Sequence, residues 1–116
     1  MSHIFVFGSN LAGRHGKGAA RLAMQEYGAI YGVGEGIQGQ SYGIPTKDHN
    51  LRTLPLAIIA ICVKRFLEYA ESHKEDEFEV TRVGCGLAGY GEEDLAPMFK
   101  SAPSNCKLPD GWRNAN

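Results

Sequence analysis

The sequence has little net charge, no long apolar run and few cysteines, and each shortage excludes a class of protein. The formal net charge is −1, so no overall field attracts nucleic acid or an anionic membrane. The longest apolar run, residues 54–63, is far shorter than a membrane span. Cys62, Cys85 and Cys106 are odd in number and form no C-x-x-C pair. They indicate reduced thiols, a cytoplasmic location and no metal site.

Two common nucleotide-binding motifs are also missing. The glycines of residues 13–18 are spaced G-x-x-G-x-G instead of G-x-G-x-x-G, which argues against a dinucleotide-binding dehydrogenase. Lys17 is followed by Gly18 and not by Ser or Thr, so the segment is not a P-loop. Kinase or ATPase chemistry is therefore not expected, and neither is a nicotinamide cofactor.

Glycine, by contrast, is abundant, and its placement is informative. The chain has 15 glycines in 116 residues, about twice the usual share. The stretch "FGSNLAGRHGKGAA", residues 7–20, combines glycines with Arg14 and Lys17 between a predicted strand and a predicted helix. A glycine loop between a strand and a helix N-terminus is a common anion site made of backbone N–H groups. The alternative is a plain strand-to-helix turn, which needs only one or two glycines.

Strand and helix patterns alternate along the chain. Strands are predicted at 3–7, 29–34, 41–46, 78–83 and about 105–108. Helices are predicted at 18–27, from an N-cap at Thr53 to about residue 70, and from near Asp94. The middle helix has an apolar stripe made of Ile59, Cys62, Val63, Phe66, Leu67 and Ala70. Trp112 is expected to pin the C-terminus onto the sheet. The alternation predicts an α/β protein: one three-layer α/β/α domain over residues 1–116, with a mixed or mainly parallel sheet of about five to six strands.

Both glycine-rich loops, residues 8–18 and 84–91, directly follow predicted strands. In open α/β sheets, ligands bind beyond the carboxyl ends of the strands. If these strands are parallel neighbours, the two loops face one crevice, and residues 46–50 share its rim. The cationic or titratable side chains expected around an anionic ligand there are Arg14, His15, Lys17, Lys47, His49 and Arg52. Asn10 has donors and an acceptor suited to a ribose hydroxyl or a base edge.

Several residues allow both a chemical and a structural interpretation. Cys85 could be a nucleophile near a helix N-terminus, but a cysteine between glycines after a buried strand is more often a packed residue. His49 beside Asp48 could form an acid–base pair, but adjacent loop residues usually point apart. Glu92 is a further carboxylate at the second loop. Tyr90 either stacks on a base or ribose, or covers the loop.

Three segments carry a resemblance to a known family. "GKGAARLAMQEYGA" (16–29), "YGIPTKDHNLRTLPL" (42–56) and "RVGCGLAGYGEEDLAPMF" (82–99) resemble the macro domain fold in order and spacing. The branch resembled is the compact one that includes terminal ADP-ribose protein glycohydrolases. The resemblance implies an ADP-ribose-type ligand, with Asn10, Gly16 and Gly18 by the distal ribose and diphosphate. The resemblance also implies that residues 84–90 form the second phosphate-side loop. Together with the analysis of the strand ends, it predicts these ligand-binding residues: Gly8, Ser9, Asn10, Gly13, Arg14, His15, Gly16, Lys17, Gly18, Thr46, Lys47, Gly84, Cys85, Gly86, Leu87, Ala88, Gly89 and Tyr90.

The chain departs from that branch at two catalytic positions. The glycohydrolases carry a lysine in the helix after the first loop, where this chain has Met24, Gln25 and Glu26. They also carry an Asp directly after Gly-Cys-Gly-Leu, where this chain has Ala88. We therefore expect a binder that reads or sequesters a small nucleotide, with no cofactor or metal and no membrane or nucleic-acid partner. The alternative is a hydrolase that uses other residues, with His49, Asp48 and Glu92 as candidates.

Overall fold

The computed structural model describes residues 2–114. The elements, in chain order, are β1 (His3–Asn10), α1 (Gly18–Glu26), β2 (Gly36–Gln38), β3 (Ser41–Lys47), α2 (Leu56–Glu71), β4 (Glu77–Val80), α3 (Glu92–Leu95) and β5 (Cys106–Lys107). Two short 3₁₀ helices complete the set: Ala96–Phe99 lies directly after α3, and Trp112–Asn114 lies after β5. Residues 1, 115 and 116 of the predicted domain lie outside the described part.

Within residues 2–114, the sheet has five strands in the order β2-β3-β1-β4-β5. β3, β1, β4 and β5 run parallel to one another, and the edge strand β2 pairs antiparallel with β3. The prediction of a mixed, mainly parallel sheet is therefore confirmed. Because β3, β1 and β4 are parallel neighbours, the segments that follow them leave the sheet at the same edge.

Helices cover both faces of the sheet. Side chains of β1 alternate between the faces, so Ile4 and Val6 join the core under α2, while Phe5 and Phe7 pack under α1. The apolar stripe predicted for the long helix is largely confirmed, because Ile59, Cys62, Val63, Phe66 and Ala70 of α2 are buried. This arrangement confirms the three-layer α/β/α fold.

The second predicted strand is misplaced. Residues 29–34 contain a tight turn, closed by a 3.0 Å hydrogen bond from the Val33 N–H to the Ile30 carbonyl. The strand lies at Gly36–Gln38 instead. The Gly32 N–H donates to the Gly13 carbonyl at 2.8 Å, so this backbone is committed to loop contacts and cannot join the sheet.

Several predicted boundaries also shift. β1 continues to Asn10 instead of ending at residue 7, so Gly8, Ser9 and Asn10 belong to the strand and not to the predicted loop. Thr53 is not the N-cap of α2, because it forms a bridge with Lys47 and Pro55 occupies the N-cap position. β4 ends at Val80 instead of residue 83, since the Val83 N–H turns back to the Thr81 carbonyl at 2.7 Å. The last helix begins at Glu92, before Asp94, whose carboxylate accepts a hydrogen bond from the Gly91 N–H at 3.3 Å.

The C-terminal segment packs on the α2 side of the molecule. Trp112 is buried, as expected, and its ring lies 5.3 Å from that of Phe99 between centroids. Within residues 2–114, no helix is long and apolar enough to cross a lipid bilayer.

Candidate functional site

Two glycine-rich loops meet at the carboxyl edge of the sheet: loop 1 (residues 11–17) after β1 and loop 2 (residues 81–91) after β4. A Cβ placed on Gly8, near the end of β1, would lie 3.5 Å from the Gly84 nitrogen. A Cβ placed on Gly18, the first residue of α1, would lie 3.6 Å from Cδ1 of Leu87. The backbones of the two loops therefore flank one shared surface, as the parallel strand order requires.

A third segment, the rim segment (residues 48–55) after β3, is fastened to loop 2 by two hydrogen bonds. The Thr53 hydroxyl donates to the Ala88 carbonyl at 3.0 Å, and the Tyr90 hydroxyl donates to the Leu54 carbonyl at 2.8 Å. Thr53 and Leu54 were not among the predicted site residues. Of the two interpretations of Tyr90, the contacts favour a structural role, since its hydroxyl already holds the loop.

Asn10 closes the inner half of loop 1. Its side-chain Nδ2 donates to the Arg14 carbonyl at 2.8 Å, and its Oδ1 accepts from the Arg14 N–H at 2.9 Å. The Gly13 N–H also donates to the Asn10 carbonyl at 3.0 Å. Asn10 is buried, so its amide serves first to shape the loop.

Behind loop 1 lies the support turn (residues 30–34), and the two backbones touch directly. Gly13 has φ +71°, and a Cβ there would collide with the Gly32 backbone well inside 3.0 Å. A Cβ at Gly34 would likewise collide with the Asn10 carbonyl oxygen. The Ser9 hydroxyl donates to the Gly34 carbonyl. Gly13 and Ser9 therefore position the loop from behind.

The outer surface of the two loops is open. Around Gly16, Gly86 and Gly89, a Cβ would have no described atom within 4 Å. α1 starts at Gly18, and among residues 2–114 no side chain caps its first turn. Its first N–H groups carry the positive end of the helix dipole, and the neighbouring Arg14 and Lys17 are exposed. This combination suits an anion.

His15 does not join that cationic surface, contrary to expectation. Its side chain is fully buried, and Nε2 lies 3.0 Å from the carbonyl oxygens of both Ile30 and Val33. The ring packs edge-on against Phe7. The carbonyl oxygens of the support turn hold the imidazole in the interior. The sequence around His15 could not predict this burial, because these acceptors lie more than ten residues away along the chain.

The rim segment is shaped by Asp48. Its Oδ1 accepts hydrogen bonds from the N–H groups of Arg52 at 3.0 Å and Asn50 at 2.8 Å. These bonds, that of Arg52 foremost, hold the pKa of the Asp48 carboxyl below its usual value, which makes it a poor general base at neutral pH. His49 and Arg52 are exposed on the same turn, and Leu51 adopts φ +62°.

Thr46 and Lys47, at the end of β3, contribute to the interior of the same edge. The Thr46 hydroxyl donates to the Ser9 carbonyl at 3.1 Å. The Lys47 carbonyl accepts from the Leu11 N–H at 2.9 Å. Both residues thus tie β3 to the start of loop 1.

Glu92 and Cys85 are both engaged in structural contacts. Oε1 of Glu92 accepts from Nε1 of Trp112 at 2.7 Å and is paired with the Arg82 guanidinium. Burial, followed by the charge of Glu92, raises the pKa of the Cys85 thiol, which opposes formation of a nucleophilic thiolate. For Cys85 the structure favours the packing interpretation, and the Glu92 carboxylate is occupied by its two partners.

Two concavities lie along the C-terminal segment. One, of about 500 Å³, is lined mainly by residues 104–111, and the other, of about 410 Å³, is lined by Glu92, Glu93 and Trp112 among others. In the described chain, no three His, Cys, Asp or Glu side chains are grouped to hold a metal ion.

Neither a protein-family model nor a curated protein sequence matches the chain. Two solved structures are similar. A protein of unknown function from Bacteroides thetaiotaomicron matches over 92% of this chain and 86% of its own, with 15% identity and a TM-score of 0.64. DarTG from Thermosipho africanus, solved in complex with ADP-ribose, matches over 92% of this chain with 17% identity and a TM-score of 0.64. This chain spans 38% of that DarTG chain. At these identities the similarity establishes a shared fold.

Proposed function

We propose that this macro domain-like chain binds an ADP-ribose-type nucleotide on the surface between loop 1 and loop 2. The observation that carries the proposal is the start of α1, which no side chain caps within residues 2–114, next to the open Gly16 and a second open glycine loop. Backbone N–H groups of two adjacent glycine-rich loops suit the two phosphates of a nucleoside diphosphate. The ADP-ribose held by the structurally similar DarTG supports the choice of nucleotide.

In this proposal the backbone provides most of the recognition. Gly16 leaves room for phosphate oxygens to approach loop 1, and Gly86 and Gly89 do the same at loop 2. Arg14 and Lys17 are exposed, so each adds about 1 kcal/mol or less to binding because solvent and salt screen their charges.

Binding without turnover is the preferred form of this function. Ala88 stands where the resembled glycohydrolases carry an aspartate, and it has no carboxylate to move protons. The side chains of Asp48 and Glu92 hold structural hydrogen bonds. A positioned acid or base is worth about 10²–10⁴ in rate, so hydrolysis without one is expected to be slow. A free nucleotide would thus be read or sequestered.

Calorimetric titration with ADP-ribose tests the proposal. We expect saturable binding by the parent chain and at least a tenfold weaker affinity for Gly16→Val, since the added side chain fills the approach to loop 1. Ser104→Val, at an exposed position before β5, is the control and should bind like the parent. Equal affinities of Gly16→Val and the parent would show that loop 1 is only a connecting turn and does not contact the nucleotide.

The bound nucleotide is then recovered, and its mass is determined by mass spectrometry. ADP-ribose returned intact supports a binder. A second incubation, with glutamate-linked and DNA-linked ADP-ribose, should release nothing. Release that is lost in His49→Ala or Asp48→Asn would instead assign hydrolysis to the rim segment.

A further inference from the structure

The buried imidazole of His15 has all its polar partners at one nitrogen. Nε2 lies 3.0 Å from the carbonyl oxygens of Ile30 and Val33 and 3.2 Å from Oε1 of Gln38. Nδ1 is buried and, among the described residues, has no hydrogen-bond partner. A buried polar group left in this state requires an explanation.

The partners determine where the proton lies. Oε1 of Gln38 accepts from the Ile30 N–H at 2.8 Å, and its Nε2 donates to the Val33 carbonyl at 3.0 Å, which fixes the orientation of that amide. All three atoms facing Nε2 of His15 are therefore acceptors. The imidazole must carry its hydrogen on Nε2, and Nδ1 holds the lone pair.

The ring is placed to hold the outer half of loop 1, the segment from Gly16 to the start of α1. His15 lies between Arg14 and Gly16, both of which are exposed. Asn10 forms hydrogen bonds with the backbone of Arg14. The imidazole of the next residue, His15, contacts the carbonyl oxygens of the support turn. The backbone from Gly16 to the start of α1 follows directly from that anchor.

We propose that His15 is a positioning residue: its Nε2–H fastens loop 1 to the support turn and so places the amides of residues 16–18 for an anion. This inference rests on the proposed nucleotide binding for its effect on affinity. The positioning itself is a property of the chain without ligand.

The wild-type chain provides the first test. Nitrogen NMR of the neutral imidazole should show the Nε2–H tautomer for His15. A spectrum showing the Nδ1–H tautomer would overturn the proposal, and this measurement needs no variant to fold.

Two variants provide the second test. His15→Leu fills the space without a donor, whereas His15→Gln keeps a donor near the position of Nε2. We expect the backbone order parameters of Gly16 and Lys17 to fall from about 0.85 toward 0.6 in His15→Leu and to recover in His15→Gln. Spectral dispersion at β1 and α2 should be unchanged in both.

ADP-ribose titration of the same variants completes the experiment. His15→Leu should bind about tenfold more weakly than the parent, and His15→Gln should recover most of the loss. Unchanged order parameters in His15→Leu, or no recovery in His15→Gln, would contradict the positioning role. If the parent itself fails to bind the nucleotide, the proposed function fails, while the order parameters still decide the role of His15.

Discussion

The indole Nε1 of Trp112 donates a hydrogen bond to Oε1 of Glu92 over 2.7 Å. Trp112 is buried against Phe99, and Glu92 begins α3 directly after loop 2. The pair therefore ties the C-terminal 3₁₀ helix to the element that ends loop 2, and the Arg82 guanidinium joins the same carboxylate from the other end of that loop.

Trp112→Phe should destabilise the protein by about 2–3 kcal/mol, because it removes both a hydrogen bond to a carboxylate and part of the buried ring. Urea unfolding measures the loss. Glu92→Gln is the matched control. It keeps an acceptor oxygen for the indole and should cost less than about 1 kcal/mol. A Trp112→Phe variant as stable as the parent would show that the contact contributes nothing.

Gly34→Ala should destabilise the protein by about 1–3 kcal/mol, because its methyl group would collide with the Asn10 carbonyl and push loop 1 away from the support turn. Gly16→Ala is the control from the same region. A Cβ there meets no described atom within 4 Å, so its unfolding free energy should stay within about 0.5 kcal/mol of the parent. Similar losses in the two variants would mean that the backbone contact does not hold the loop.

Tyr90→Phe should cost about 0.5–1.5 kcal/mol, since it frees the Leu54 carbonyl from loop 2. Thr53→Val removes the second fastening, to the Ala88 carbonyl. Because both bonds join the same two segments, the double variant should depart from additivity by about 0.5 kcal/mol or more. Denaturant unfolding of the four proteins gives the coupling energy, and strict additivity would show that the bonds act independently.

Stability should fall as the pH rises through the alkaline range. Burial raises the pKa of the Cys106 thiol to about 11 and that of the Tyr42 hydroxyl to about 12. In the unfolded chain these groups ionise near about 8.5 and 10, so the unfolded state loses its protons first and is favoured above those values. The contribution of each group is complete below its unfolded pKa and is lost as the pH rises toward its folded pKa.

Unfolding midpoints between pH 7 and pH 11 test this expectation. Cys106→Ala removes the thiol, so its midpoint should fall less steeply between about pH 8.5 and 10 than that of the parent. Identical slopes in the two proteins would exclude the thiol as a source of the decline.

Features encoded by neighbouring residues were predictable from the sequence. The apolar stripe of α2 depends on residues three and four positions apart. The start of α1 likewise depends on the glycine loop that directly precedes it. The parallel arrangement of β1, β3 and β4 followed from the alternation of strand and helix patterns.

Features that depend on distant partners were not predictable in this way. The support turn looked like a strand because its apolar residues carry a strand pattern, whereas its backbone is bonded to Gly13. His15 looked like a surface cation because its neighbours are basic and polar. Its burial depends on carbonyl groups of Ile30 and Val33, which only the folded chain brings beneath loop 1.

The fastening of loop 2 to the rim segment, through Thr53 and Tyr90, has a kinetic and calorimetric consequence. Segments already ordered in the free chain lose little further conformational entropy when a ligand arrives. Association of the proposed nucleotide should therefore occur in a single fast phase, without rearrangement of loop 2 or the rim segment. The heat-capacity change on binding should match the small apolar area of the ligand and should include no contribution from loop folding.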